Sequence, residues 1–236
     1  FLLKRGENVI GIDNINDYYD ISIKLKNIEI LQKYQNFIFK KEDICDTKII
    51  SEIKPLKIVH LASMAGVRNS IKNPLIYDKV NIGGFINILQ ECIKNDVKHL
   101  VYASSSSVYG LNRKVPFCED DDIKSCNSPY ACSKMAMELY AKTYFQLYGL
   151  TNIGLRFFTV YGPRGRPDMA LFKFTKNILN NKKIEVFNHG NHLRDFTYVD
   201  DVVKSVYLTI KKIPQKKNKA SISNSKNAPF TILNIG

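Results

Sequence analysis

A doubly wound, parallel α/β sheet followed by a smaller region after residue 158 is the fold class this sequence predicts. Two observations carry the prediction. Short apolar runs rich in β-branched residues alternate with longer segments of helical period, which is the pattern of βαβ units. After residue 158 the texture changes, and "TVYGPRGRPDMALF" is rich in Gly, Pro and Arg. The length of 236 residues suits one such domain with an appendage and allows a substantial core.

The opening "FLLKRGENVIGID" reads as the tail of an amphipathic helix, a turn at Gly6 and a strand over 8–13 that ends in Asp13. Further strands are predicted over 37–43, 57–62, 99–105 and 152–158, each a short apolar run bounded by polar or turn residues. Helices are predicted between them over 20–33, 46–54, 78–95 and 129–148. In the third, Val80, Ile82, Phe85, Ile86 and Leu89 make a broad apolar face despite Gly83 and Gly84. The fourth starts with Ser128 as N-cap and Pro129 at the first helical position. Beyond 158 the expected order is a helix (169–181), a short strand (184–187), the loop "NHGNHLRDFTYVD", a helix (199–212) packing back on the first domain, and a last strand in "FTILNIG". Residues 213–229 have the composition of a mobile loop. The domains are therefore drawn as 1–158 and 159–236.

Composition excludes several classes. Hydrophobic content of 44% and charged content of 24% belong to soluble globular chains, and no apolar run approaches the roughly 18 residues of a membrane span. The N-terminus shows no basic leader with an apolar core. Five cysteines without a C-x-x-C pair suggest neither a disulfide framework nor a zinc site, and fit a reducing cytoplasm. The net charge of +13 comes mostly from dispersed lysines, with only seven arginines, so it reads as a solvated basic surface and not as a nucleic-acid site.

Two features carry chemistry. An acidic residue closing a strand, such as Asp13, can grip the ribose hydroxyls of a dinucleotide about 20 residues after a glycine-rich phosphate loop. Counting back from Asp13 falls before Phe1, so that loop is expected to lie outside this chain, which is read as a fragment at both ends. By itself an Asp at this place is more often a turn residue. Downstream, "SSSSVYG" ends a strand, and Tyr130 and Lys134 follow one helical turn apart. A tyrosine with its usual pKa of about 10 is a poor base, and a nearby ammonium favours its phenolate. Such a pair can take a proton from a sugar hydroxyl while a nicotinamide takes hydride from the same carbon. An isolated Tyr-x-x-x-Lys is more often a packing feature; the order of Asp13, "LASMAGVRNS", "SSSSVYG" and "YACSK" at successive strand ends shifts the balance to function.

The strings "GIDNINDYYD", "LASMAGVRNSIKNP", "YASSSSVYGLNRKVPF", "LRFFTVYGPRGRPDMALFKFT" and "RDFTYVDD" span nearly the whole chain. In them the chain resembles the extended short-chain dehydrogenase/reductases, the NAD-dependent epimerase/dehydratase family, and most narrowly its UDP-glucuronate 4-epimerases. The resemblance implies a Rossmann-like fold, bound NAD, a UDP-sugar substrate and a homodimer through the helices 78–95 and 129–148. It places Asp13, Asn14, Asp43, Ile44, Leu61, Ala62, Ser63, Asn81 and Ser104 at the cofactor, with Ser105, Tyr130 and Lys134 as catalytic residues. The family usually has alanine and glutamine where Ser63 and Met64 stand here. Arg68, Ser105, Thr159, Arg166, Phe172, Phe187 and Arg194 are implied at the substrate: Thr159 and Arg166 at a uronate carboxylate, with Arg166 preferred over Arg164, Arg194 at the diphosphate, and the two phenylalanines as walls for uracil. Core packing explains either phenylalanine equally well, and an ordinary helix-face role explains Asn81. Dehydratase relatives carry acids where Ser106 and Ser107 stand, so the implied reaction is epimerisation at C4, interconverting UDP-glucuronate and UDP-galacturonate through a 4-keto sugar. Another UDP-sugar 4-epimerase, a related NAD-dependent enzyme and an inactive fragment are the alternatives.

Overall fold

A computed structural model of the chain describes residues 1–123, 125–186, 188–191, 193–213 and 230–236. The strands are β1 (Val9–Asp13), β2 (Phe37–Lys41), β3 (Lys57–His60), β4 (His99–Ser105), β5 (Asn152–Phe157), β6 (Thr159–Tyr161), β7 (Phe196–Tyr198) and β8 (Phe230–Ile235). The helices are α1 (Ile21–Gln32), α2 (Ile49–Ile53), α3 (Val67–Lys72), α4 (Pro74–Tyr77), α5 (Gly84–Lys94), α6 (Pro129–Tyr148), α7 (Ala170–Leu179) and α8 (Val199–Lys211). The helix tail expected at the N-terminus is one 3₁₀ turn, Leu3–Arg5, closed by Gly6 at φ 77°.

β3, β4, β5 and β8 form one parallel sheet in that order, and β1 pairs with β2 in a second parallel unit. β4 lies inside the larger sheet and is buried along its whole length, which explains its continuous apolar character. Its side chains alternate between two cores. Leu100 and Tyr102 pack with Phe85, Leu89, Met137 and Ala141 of α5 and α6. Val101 joins Ile153 and Leu155 on the other face, where Val206 and Ile210 of α8 cover them. Helices on both faces make the sheet doubly wound. Gly154 is required on β5, because a Cβ there would sit 2.6 Å from both Tyr102 and Ile232.

α6 has the termini its sequence predicts: the Ser128 side chain accepts from Ala131 N at 3.2 Å, Pro129 opens the helix, and Gly149 ends it at φ 72°. The helix predicted over 78–95 is interrupted. Residues Asp78–Gly83 form a π-helical turn before α5, and Asn81 in that turn is fully buried. Its amide nitrogen donates to Met64 O and to Ser133 Oγ, both at 2.9 Å, while its oxygen accepts from Met64 N at 2.7 Å. A straight α-helix would aim this side chain elsewhere, so the wider turn goes with the bracket.

The predicted strand over 184–187 is absent at 184–186, which are irregular, and Phe187 lies outside the described residues. The loop assigned to 213–229 lies outside them beyond residue 213. The second region instead contains the short parallel pair β6 and β7, in which Thr159 is opposite Phe196 and Tyr161 opposite Tyr198. Among the described residues no helix is long and apolar enough to cross a membrane. An apolar cavity of about 390 Å³ is walled by Phe1, Leu61, Ala103, Phe157 and Val160 together with α8.

Candidate active site

The carboxyl ends of β1, β3 and β4 carry the polar residues singled out by sequence. At β1, Asp13 is exposed, and its Oδ1 accepts from Ile15 N at 2.7 Å and Lys24 Nζ at 3.3 Å. Asn14 donates to Asp43 Oδ2 at 2.9 Å, which ties the end of β1 to the end of β2. Asp43 is held below the usual carboxylate range, first by the Cys45 backbone N–H and then by Asn14. Ile44, next to it, is buried in the core. Leu61 is 54% exposed and forms part of the apolar cavity wall, while Ala62 and Ser63 are half-buried beside it in sequence.

β4 and α6 form the centre of the site. Tyr130, Lys134 and Glu138 recur every fourth residue, so they share one face of α6. The Ser105 side chain lies close enough to the Tyr130 phenol to lower its pKa. Lys134 is 1% exposed, and Nζ donates to Ala103 O at 2.8 Å and Ser63 Oγ at 3.1 Å. Glu138 accepts from Ser104 Oγ at 2.5 Å and from Arg156 Nε and Nη2 at 2.9 and 2.8 Å. The helix thus grips β4 at Ala103 and Ser104, with Tyr130 beside Ser105.

The electrostatics differ from the expectation that Lys134 depresses the tyrosine. Burial pushes the Tyr130 phenol up, and the downward influences are the Ser105 hydrogen bond and the Arg166 charge. The Lys134 ammonium lies 6.0 Å from the centre of the Tyr130 ring and is directed to Ala103 and Ser63. Its own pKa is lowered to about 7 by burial. Ser105 also caps the turn that follows, accepting from Ser107 N at 3.1 Å, so the serine run is at once a structural cap and a site.

The substrate-side residues are more open. Arg166 is half-buried and forks onto Asp168, with Nε to Oδ1 at 2.9 Å and Nη2 to Oδ2 at 2.7 Å. Arg164 is exposed. Thr159 opens β6, its backbone N–H donating to Asp195 O at 3.1 Å. Phe172 on α7 lies against Gly165, where a Cβ would sit 2.4 Å from the ring. Arg194 is exposed and donates to Leu193 O at 2.7 Å, and Arg68 is an exposed residue of α3. The structure therefore joins Ser105, Tyr130, Lys134 and Arg166 by electrostatic contact, while the hydrogen bonds given for Arg194 and Asp13 lie outside that cluster.

Sequence reasoning missed Glu138, Tyr77, Tyr18 and Asp168. Glu138 had a signal, since it continues the Tyr130–Lys134 spacing. Tyr77 Oη donates to Ala65 O at 2.8 Å and its ring meets Tyr130 edge-on at 6.2 Å, and nothing in local sequence marks that contact.

The family model for the NAD-dependent epimerase/dehydratase family matches residues 1–224. Protein CapI of Staphylococcus aureus is 49% identical over the whole chain, which covers 72% of that protein. The UDP-glucuronate 4-epimerase 4 of Arabidopsis thaliana is 50% identical over 86% of the chain, a match spanning only 48% of the plant protein. Among solved structures, UDP-glucuronic acid 4-epimerase from Bacillus cereus, in complex with UDP-glucuronic acid and NAD, superposes with a TM-score of 0.87 at 31% identity, over the whole chain and 71% of its own.

Proposed function

The chain belongs to the NAD-dependent epimerase/dehydratase family, and from that premise we propose that it is a nucleotide-sugar 4-epimerase acting on UDP-glucuronate and UDP-galacturonate. The observation that carries this reading is the placing of Tyr130 beside Ser105 at the end of a strand, with Lys134 bonded to the same strand. No carboxylate stands in the run 104–107, so the strand end offers proton transfer at one carbon and lacks the acid that elimination would need.

The residues present fit NAD. Asp13 is an exposed carboxylate at a parallel strand's carboxyl end whose two hydrogen bonds both use Oδ1. It would take the adenosine ribose hydroxyls and repel a 2′-phosphate by like charge. Asn14, Asp43 and Ile44 would lie toward the adenine, and Ala62, Ser63 and Ser104 along the cleft. Asn81 would act by bracing the 62–66 segment, since its amide is already satisfied there. Lys134, with two of its three ammonium donors engaged, retains one for the nicotinamide ribose.

When bound, NAD supplies the acceptor and later the donor of hydride at C4. As the phenolate, the form that a bound nicotinamide cation would favour against the raising effect of burial, Tyr130 takes the 4-hydroxyl proton, directly or through Ser105, and holds it while a 4-keto sugar forms. The sugar turns within the site, and Tyr130 returns the proton with configuration inverted. Arg166 and Thr159 would hold the C5 carboxylate, for which a planar guanidinium is well matched. Arg194 would face the diphosphate, Arg68 the junction of substrate and cofactor, and Phe172 the uracil ring. Residues 1–158 would bind the cofactor and 159–236 the substrate. A homodimer through α5 and α6 is supported by Tyr140, Leu147 and Tyr148, which are exposed on one face of α6 at i, i+7 and i+8.

The experiment is nicotinamide absorbance of the purified full-length protein, followed by turnover of UDP-glucuronate and of UDP-glucose. Bound NAD and at least tenfold faster turnover of UDP-glucuronate are expected. Equal or faster turnover of UDP-glucose would sink the uronate assignment, and no turnover of either would sink the epimerase.

A further inference from the structure

Arg166 is held from a distance in sequence. Its Nε and Nη2 bond to Asp168, Nη2 also lies 3.9 Å from Met169 Sδ, and Nη1 takes part in none of these bonds. Asp168 Oδ2 is in turn 3.5 Å from the hydroxyl of Tyr18, whose ring lies 5.6 Å from the guanidinium carbon. Tyr18 belongs to the loop between β1 and α1, directly after Asp13 and Asn14. The same hydroxyl donates to Ala65 O at 3.0 Å, the carbonyl that also accepts from Tyr77, and Tyr77 touches Tyr130. The close fit depends on Gly66, at φ 103°, because a Cβ there would sit 2.9 Å from Tyr18 Oη.

We propose that Tyr18 and Asp168 are positioning residues that fix the Arg166 guanidinium with its Nη1 edge toward the substrate anion, and so couple the ribose-side loop to substrate recognition. The inference rests on the reading of Arg166 as the uronate-binding residue. Two parallel bonds to Asp168 lock the plane of the guanidinium, and only the far edge is left to meet a second carboxylate. The Tyr18 ring supports that plane from one side. Burial and then the Asp168 charge push the Tyr18 phenol up to about 12, and its single proton is shared between Ala65 O at 3.0 Å and Asp168 Oδ2 at 3.5 Å. The latch also joins segments 150 residues apart, so an ordered ribose-side loop would favour an ordered arginine.

The test uses the full-length, NAD-loaded protein and calorimetric affinities for UDP-glucuronate and for UDP, with KM and kcat alongside. Asp168→Ala is expected to weaken UDP-glucuronate about tenfold and UDP less than twofold, with KM rising more than kcat falls. Tyr18→Phe, which removes only the hydroxyl, is expected to weaken UDP-glucuronate about threefold, and Asp168→Glu to recover part of the loss of Asp168→Ala. Arg166→Met serves as the control for the underlying reading. If Arg166→Met weakens UDP-glucuronate but Asp168→Ala leaves it unchanged or tightens it, the latch is refuted and Asp168 is at most a competitor for the arginine. If Arg166→Met itself has no effect, the uronate reading fails and takes the latch with it. Equal weakening of UDP and UDP-glucuronate by Asp168→Ala would also overturn the proposal, as the mark of general disruption.

Discussion

Two arginines ten residues apart make nearly the same bond and face opposite circumstances. Arg156 forks onto Glu138 through Nε and Nη2 at 2.9 and 2.8 Å, and Arg166 forks onto Asp168 through the same atoms at 2.9 and 2.7 Å. The side chains of the first pair are 4% and 8% exposed, those of the second 30% and 38%. Arg156 also donates to Tyr109 Oη at 2.9 Å, and Tyr109 to Asn234 Oδ1 at 2.7 Å, so the buried pair belongs to a network of protein hydrogen bonds. Geometry alone does not separate a structural ion pair from one available to a ligand; water access and the remaining donors do. The buried pair clamps α6 to β4 and β5 beneath Tyr130 and Lys134. The open pair leaves a guanidinium edge where a substrate could reach it.

The largest effect should come from the group that the buried layer supports. Tyr130→Phe removes the phenolic hydroxyl beside Ser105 and keeps the ring that packs on the helix. Turnover of UDP-glucuronate should fall by about 10³-fold or more, roughly 4 kcal/mol in the barrier, with calorimetric affinity for the UDP-sugar nearly intact. Unaltered turnover would mean that the rigid layer presents no chemistry, and the contrast between the two regions would lose its functional meaning.

The ion pairs themselves come next. Glu138→Ala leaves the Arg156 charge buried without its carboxylate and should destabilise the protein by about 3–5 kcal/mol in urea unfolding. Asp168→Ala, which breaks the same kind of bond in the open, should change stability by less than about 1 kcal/mol. Comparable losses from the two substitutions would show that exposure is not what distinguishes the pairs.

The same division decides what could be read from sequence. β4 was legible because burial on both sides demands a continuous apolar run, and α6 because Ser128, Pro129 and Gly149 mark its ends. Tyr130 and Lys134 were legible through their helical spacing. β6 and β7 were not, since each is three residues long and their pairing brings together segments 37 residues apart with no local periodicity. The π-turn at Asp78–Gly83 was hidden for a related reason: it accompanies a bracket from Asn81 to Met64 and Ser133 that exists only in three dimensions. Tyr18 and Asp168 left no trace either, since a contact across 150 residues has no signature in "NDYYD" or "GRPDMA". What Lys134 does with its charge also depended on tertiary structure, because the helical spacing to Tyr130 is the same whether Nζ turns to the phenol or to Ala103.

That lysine offers the finest discrimination between the buried layer and the open loop. Its native pKa of about 7 lies well below the ordinary 10.5, because burial penalises the ammonium. Below pH 7 both folded and unfolded chains carry the proton, so the full cost of burying the charge is present. As pH rises through 7 the native group loses its proton while the unfolded one keeps it, so the unfolded state binds more protons and stability increases. In the NAD-free protein, the unfolding free energy relative to Lys134→Met should therefore rise by about 2 kcal/mol between pH 7 and pH 9. Taking the difference removes the titration of other groups common to both proteins. A lysine as open as those on the surface would give a flat difference over this range, and that result would place Nζ in water instead of against Ala103 and Ser63.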